Sequence, residues 1–256
     1  MEVERKEVKF IHFEEIDSTN SYARREASRL WNENPDSRIF VVTAEEQTSG
    51  RGQRGTVWQS CKGMNLLMTI AVRPHSLAID SCYALSVAAA LALKESMQTF
   101  GLTTTLKWPN DLYCNGDKLA GILLESDWEG GKVAQAFIGI GLNINQARFS
   151  EMSRRPTSMR LVSGKSFNIE EVRDSIVAKF IEYYTRIVQG EQKALFEEYE
   201  KSLMGYSAPL LYHDANGEFS ATVHGVLNDG RIVLKCDDGT LRSYWFKEVE
   251  NVILGY

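Results

Sequence analysis

The stretch from Ala84 to Leu93 carries no charge and is apolar on nearly every side of a helix, so whatever this chain folds into must bury that helix. It is far shorter than the roughly 20 residues that cross a bilayer, so its cover has to come from the protein itself. A chain of 256 residues can supply it. At roughly 150 residues per domain, the length provides one main core and a small appended module. Hydrophobic residues at 43% and charged residues at 25% exclude a disordered or collagen-like chain.

The buried helix extends over about 79–100 and sits among β-rich runs. Val8 to Phe13 reads as a strand, followed by a helix to about Trp31 that any of Asp17, Ser18, Thr19 or Asn20 could cap. Arg38 to Ala44 and Asn65 to Val72 read as strands bracketing a Gly-rich loop from Thr48 to Trp58. Thr103 to Trp108, Lys118 to Ser126 and Val133 to Ile144 are further strands, with Asn115-Gly116 signalling a type I′ hairpin between the first two. Helical spacing marks Ile169 to Val188, and Gln192 to Leu203 reads as one more helix. After Gly205 come short apolar runs at 209–212, 219–227, 232–236, 241–246 and 252–254, separated by Asn-Gly, Asp-Gly and similar turns. That spacing predicts a small all-β barrel, and hence a division into 1–204 and 205–256.

Lys and Arg number 29 against 34 Asp and Glu, a net charge of −5, so there is no bulk attraction for nucleic acid or anionic lipid. Any anion site must be local. Residues 47–79 hold Arg51, Arg54, Lys62 and Arg73 and no acid. Within that stretch, Gly50-Arg51-Gly52-Gln53-Arg54-Gly55 combines backbone N–H groups free to converge with two forked donors suited to phosphate or carboxylate oxygens. Its spacing matches neither a P-loop nor a Rossmann turn. A flexible surface loop would use the same glycines; the missing acids favour the anion site. Lys107-Trp108-Pro109-Asn110-Asp111 ends a strand in a turn that could present a lysine to phosphate and an aspartate to a metal ion. Gly139 and Gly141 lie on one face of a strand, which a bulge or a close-packed flat ligand would explain.

Taken in order, Asp17-Ser18-Thr19-Asn20, the Gly-Arg-Gly loop with Trp58, Lys107 to Asp111, Lys118-Leu119-Ala120-Gly121 and Gly139-Ile140-Gly141-Leu142-Asn143 resemble the biotin protein ligase family over about residues 8–200. The resemblance implies an α+β fold: a catalytic domain like that of class II aminoacyl-tRNA synthetases, a mixed sheet with helices on one face, plus a small C-terminal SH3-like β-barrel. It implies that ATP, with Mg²⁺, activates biotin to biotinyl-5′-AMP and that the biotinyl group passes to a lysine of a biotin carboxyl carrier domain. By the family match, Lys118, Arg51 and Asp111 are catalytic. Ser18, Thr19, Asn20, Gln47, Arg51, Gly52, Gln53, Lys118, Gly121, Leu123 and Gly141 meet biotin. Arg51, Arg54, Trp58, Lys107, Asn110 and Asn143 meet ATP, and Asp111 aids Mg²⁺ or deprotonates the incoming lysine. Many members have Arg where Gln53 and Thr56 stand here.

Two other readings share parts of this pattern. A lipoate protein ligase has the same chemistry, but Gly-Arg-Gly followed by Lys-Trp-Pro-Asn-Asp favours biotin. A biotin-sensing DNA-binding regulator would need a winged helix, for which a first strand beginning by Val8 leaves no room, so no DNA partner is expected. Cys61, Cys82, Cys114 and Cys236 form no C-x-x-C pair, and the charge-rich first ten residues are unlike a signal peptide. A cytoplasmic enzyme without membrane contact, monomer or homodimer, is the expectation.

Overall fold

In the computed structural model, residues 7–74, 77–149 and 155–252 are described, apart from the side chain of Arg54. Strand β1 (Val8–Ile16) pairs in parallel with β2 (Ile39–Gln47), which requires a crossover. Helices α1 (Thr19–Arg25) and α2 (Ala27–Glu33) provide it. Ser18 caps α1 by accepting from the Ser21 N–H. Where one helix to Trp31 was expected, the chain bends at Glu26, which closes α1 and opens α2 with φ −94° and ψ 0°.

The remaining pairs of the main sheet are antiparallel: β3 (Leu66–Val72), β4 (Thr105–Lys107), β5 (Asp111–Cys114), β6 (Asp117–Glu129) and β7 (Lys132–Leu142) give the order β1-β2-β3-β7-β6-β5-β4. The expected hairpin is present, with Asn115 at φ 52° and Gly116 at φ 85°, but it joins β5 to β6. The four-residue β5 went unrecognised in the sequence because it follows directly on the Pro-Asn turn and is too short to show alternation.

Strand alternation divides the core. Ile39, Val41, Met68, Ile70, Ile138 and Ile140 face α3 (Tyr83–Thr99), which lies against α5 (Ile169–Val188) and α6 (Gln192–Lys201). Phe40, Val42, Ala71 and Phe137 face the other way and pack on Ala23, Ala27, Leu30 and Trp31 of α1 and α2. The three long helices thus share one face, as expected, while the short pair covers only part of the opposite face. The uncovered part of that face carries the cavity described below. A further five-residue helix, α4 (Met159–Ser163), follows β7 and starts on a Ser158 cap.

A second, antiparallel sheet has the order β11-β10-β9-β8-β12, from β8 (Leu210–Asp214), β9 (Gly217–Val226), β10 (Ile232–Cys236), β11 (Leu241–Tyr244) and β12 (Val249–Asn251). Its two edge strands, β11 and β12, are separated by only residues 245–248, so the sheet must curl until its edges approach. The last strand precedes the expected 252–254 run, of which 253–254 lie outside the described residues. Val223, Ile232 and Leu234 of this sheet belong to the same apolar core as α3 and α6. No helix among the described residues is long and apolar enough to cross a membrane.

Candidate active site

On β6, β7 and β3 the residues facing away from α3 include Gly121, Leu123, Gly139, Gly141 and Leu67, and they floor a cavity of about 430 Å³. Its rim is the N-terminus of α1, the loop 48–58, the 108–111 turn and the turn between β11 and β12. The glycines permit close approach. A Cβ on Gly139 would lie 2.7 Å from Asn20 Oδ1, and one on Gly141 2.7–2.8 Å from ring carbons of Trp58, distances no real Cβ tolerates. Side chains of this chain therefore lie against the strand backbone where the sequence suggested a flat ligand or a bulge.

One end of the cavity is a polar network on α1. Gln47 Oε1 accepts from the Thr19 N–H (2.8 Å) and the Thr19 hydroxyl (3.0 Å). Thr69 Oγ1 donates to Asn20 Oδ1 (2.6 Å) and lies 2.8 Å from Thr19 Oγ1. Asn20 Nδ2 donates to Glu125 Oε2 (3.0 Å), and Glu125 also receives a forked pair of bonds from Arg51 (2.6 and 3.2 Å). Ser18, Thr19, Asn20, Gln47, Arg51, Gly52 and Gln53 all reach the cavity wall. Glu125 and Thr69 were not singled out in the sequence. The signal for Glu125 is its period-2 position after Gly121 and Leu123; for Thr69, it is a hydroxyl inside the apolar run of β3.

The other end is charged. Lys118 Nζ bonds Asp111 Oδ1 at 2.6 Å and lies 5.8 Å from the centre of the Trp58 ring; the Asp111 side chain is only 5% exposed. Asn110 and Ile122 exchange two bonds, Asn110 Nδ2 to Ile122 O and Ile122 N–H to Asn110 O, both 2.8 Å, which locks the turn onto β6. Asn143 is held by Nδ2 donating to Thr157 O, and its Oδ1 has no partner among the described residues. Gln53 Oε1 and Trp58 Nε1 are likewise buried without partners there, and all three residues line the cavity. A buried polar atom left unmade costs about 1–3 kcal/mol, so these three atoms mark the cavity as a place where a polar ligand is stabilised.

Lys107 does not line this cavity. Paired across β4 and β5 with Asp111, it is buried with its ammonium 5.6 Å from the Tyr113 ring centre and lines a smaller adjoining recess of about 40 Å³. The Arg54 side chain lies outside the described residues. Phe246, Lys247 and Glu250 from the second sheet complete the cavity wall, a contribution the division at residue 204 had not anticipated. Among the described residues no group of three or more His, Cys, Asp or Glu could hold a metal ion by itself.

The profile of the Biotin/lipoate A/B protein ligase family matches residues 13–143, just over half of the chain and all of the cavity floor. The chain belongs to this family. Among its relatives, the bifunctional ligase/repressor BirA of Bacillus subtilis is 28% identical over 228 residues, spanning 88% of this chain and 70% of the relative. The biotin–acetyl-CoA-carboxylase ligase of Paracoccus denitrificans is 29% identical over 229 residues, 86% of this chain and 91% of the relative. The fold is that of the biotin protein ligase of Aquifex aeolicus solved with biotin and ATP, with a TM-score of 0.76 at 22% identity over 95% of this chain and 98% of that one.

Proposed function

We propose that this chain is a biotin protein ligase. It joins biotin to ATP as biotinyl-5′-AMP, releasing pyrophosphate, and passes the biotinyl group to a lysine of a carboxyl carrier domain. The observation that carries the reading is the pairing within one cavity of a buried amide-and-hydroxyl network at one end with a lysine–aspartate pair at the other. Biotin has the complementary form: a ureido edge that donates and accepts, an apolar body and a carboxylate.

In the first step a carboxylate oxygen attacks the α-phosphorus as the bond to the β-phosphate breaks, so anion approaches anion and fixed cations must offset the repulsion. Lys118 is suited to lie between the two, with Arg51 exchanging its Glu125 partner for ligand oxygens. Ser18, Thr19, Asn20 and Gln47 would meet the ureido group, with Gly52, Gln53, Gly121, Leu123 and Gly141 as wall. Trp58, Asn110 and Asn143 would meet the nucleotide, with Arg54 from the loop. Lys107 would act from behind Asp111. In the second step the lysine amine attacks the acyl carbon, AMP leaves with the former carboxylate oxygen, and Asp111 is placed to take the proton. Mg²⁺ is a fit only as an ion carried by the phosphates and touched by Asp111, since no all-protein cluster is described; such sparse protein ligation is ordinary for that ion. Its chemistry would be to neutralise phosphate charge.

The division is 1–204, which carries the biotin and ATP contacts named above, and 205–256, a second unit whose Phe246, Lys247 and Glu250 complete the cavity wall. The working location is the cytoplasm, as a monomer or homodimer, with no DNA partner. Biotin-dependent exchange of labelled pyrophosphate into ATP tests the activity. Exchange supported by lipoate or octanoate and not by biotin would overturn it.

A further inference from the structure

The Trp108-Pro109 pair ahead of Asn110 and Asp111 touches the second sheet on one side and the helices on the other. The indole N–H of Trp108 donates to Gly230 O, in the turn between β9 and β10, at 2.8 Å. Its ring meets Phe246, beside β11, edge to face at 6.3 Å. The second sheet therefore holds this one side chain from two separate turns. On the helix side, Pro109 O accepts from Tyr83 Oη of α3 (2.7 Å) and from Tyr199 Oη of α6 (3.3 Å). The two phenols lie 3.0 Å apart, and burial raises the pKa of both, so each stays a donor. The Tyr83 ring also packs on Gly230, where a Cβ would come within 2.9 Å of it, so the helix side and the sheet side brace each other.

We infer that Trp108 is a positioning residue for adenylate formation, and that the second sheet acts in the chemistry by gripping it, which fixes the Asn110–Asp111 turn against Ile122 and Lys118. This rests on the ligase reading above. Trp108 touches no reacting atom in it; its effect passes through the backbone to Asp111, three residues on, whose carboxylate holds Lys118. Small displacements of this kind are expensive because reacting groups must meet within a few tenths of an ångström.

The test is Trp108→Phe in the full chain, which keeps an aromatic ring for Phe246 and removes the donor to Gly230 together with part of the indole's volume. The expected result is a fall of about tenfold or more in kcat for pyrophosphate exchange with the KM for biotin changed less than about twofold. Hydrogen exchange at the Ile122 amide, which donates to Asn110 O, should quicken about tenfold or more while amides of β2 keep their rates. Tyr83→Phe should move both quantities in the same direction by less, since Tyr199 still donates to Pro109. Unchanged kcat in Trp108→Phe overturns the inference. So does a lowered kcat with Ile122 as protected as before, or an effect of Tyr83→Phe without one of Trp108→Phe. If biotin supports no exchange in the unaltered chain, the ligase reading fails, and the Ile122 measurement alone decides whether the grip on Trp108 holds the turn.

Discussion

Lys118 is the residue on which the site turns, and its surroundings change what its removal should do. It lies on β6, an interior strand, with its ammonium 2.6 Å from a carboxylate that is 5% exposed. A solvated edge lysine could be truncated with no effect on folding; this one could not. Lys118→Ala is expected to lower pyrophosphate exchange by about 10²–10³, the usual worth of a donor aimed at developing charge. It should also cost about 1–3 kcal/mol of stability, because Asp111 loses its ammonium in a place that water hardly reaches. Lys118→Ala combined with Asp111→Asn should recover the stability and leave exchange low. If the single variant exchanges at the native rate with saturating biotin and ATP, Lys118 is not at the reacting centre. Gly141 gives a second residue-scale test, since an added methyl must push Trp58 off the sheet. Gly141→Ala should reduce kcat/KM for biotin by about tenfold or more, and a native value would show that the indole can leave its seat without consequence.

At the scale of the element, the loop 48–58 is held by few bonds. The N–H groups of Thr48 and Ser49 anchor its start to Ile16 O and Asp17 O, whereas beyond Ser49 the bonds are mostly internal, Gly52 N–H to Thr56 O, Thr56 N–H to Gln53 O and Trp58 N–H to Gly50 O, and Arg51 bonds Glu125 with its side chain 43% exposed. An ion pair that open contributes about 0–1 kcal/mol, too little to fix three glycines against their conformational entropy. Biotin or its adenylate should add the missing contacts, so trypsin cleavage after Arg51 or Arg54 is expected to slow at saturating biotin and to quicken without it in Glu125→Gln. Equal rates with and without ligand would mean that the loop gains nothing on binding. The same loop shows where sequence reading succeeds and where it stops. Its glycines and missing acids are local and legible, whereas its counter-ion Glu125 lies 74 residues away and is brought close only by sheet register. Helix α5 begins and ends where its apolar spacing does, because twenty residues make the period unmistakable. Strand β5 has four residues and no period to show, and the bend at Glu26 leaves the apolar spacing of α1 and α2 unbroken. The motif by itself points Lys107 to the nucleotide; which recess the side chain lines depends on the pairing of β4 with β5, which sets it beside Asp111 and next to the main cavity.

For the whole molecule, the join between the two sheets is apolar at its centre and carries one carboxylate whose titration reports on it. Glu200, at the end of α6, accepts from the Val226 N–H of β9 at 2.7 Å and lies close over Gly225, where a Cβ would be 3.1 Å from its oxygen and would displace it by a few tenths of an ångström. Burial raises its pKa above the ordinary 4.5; the Val226 bond works against this, Glu197 adds to it and His224 opposes it, with burial the largest influence. A carboxyl whose pKa is higher in the folded chain binds more protons there than in the unfolded chain between the two values, so stability falls as pH rises through that window. Below 4.5 the group is protonated in both states and its burial costs little. Above the raised value the whole cost of this half-buried charge is present. Glutamine keeps the acceptor for Val226 and cannot ionise, so Glu200→Gln should gain in melting temperature relative to the native chain as pH rises from about 4.5 toward 7, then hold that gain. Subtracting the two melting curves at each pH cancels every titration the chains share. A difference that stayed flat with pH would show that Glu200 feels water as freely folded as unfolded, and a difference that fell with pH would show that the Val226 bond outweighs burial at the join between the two sheets.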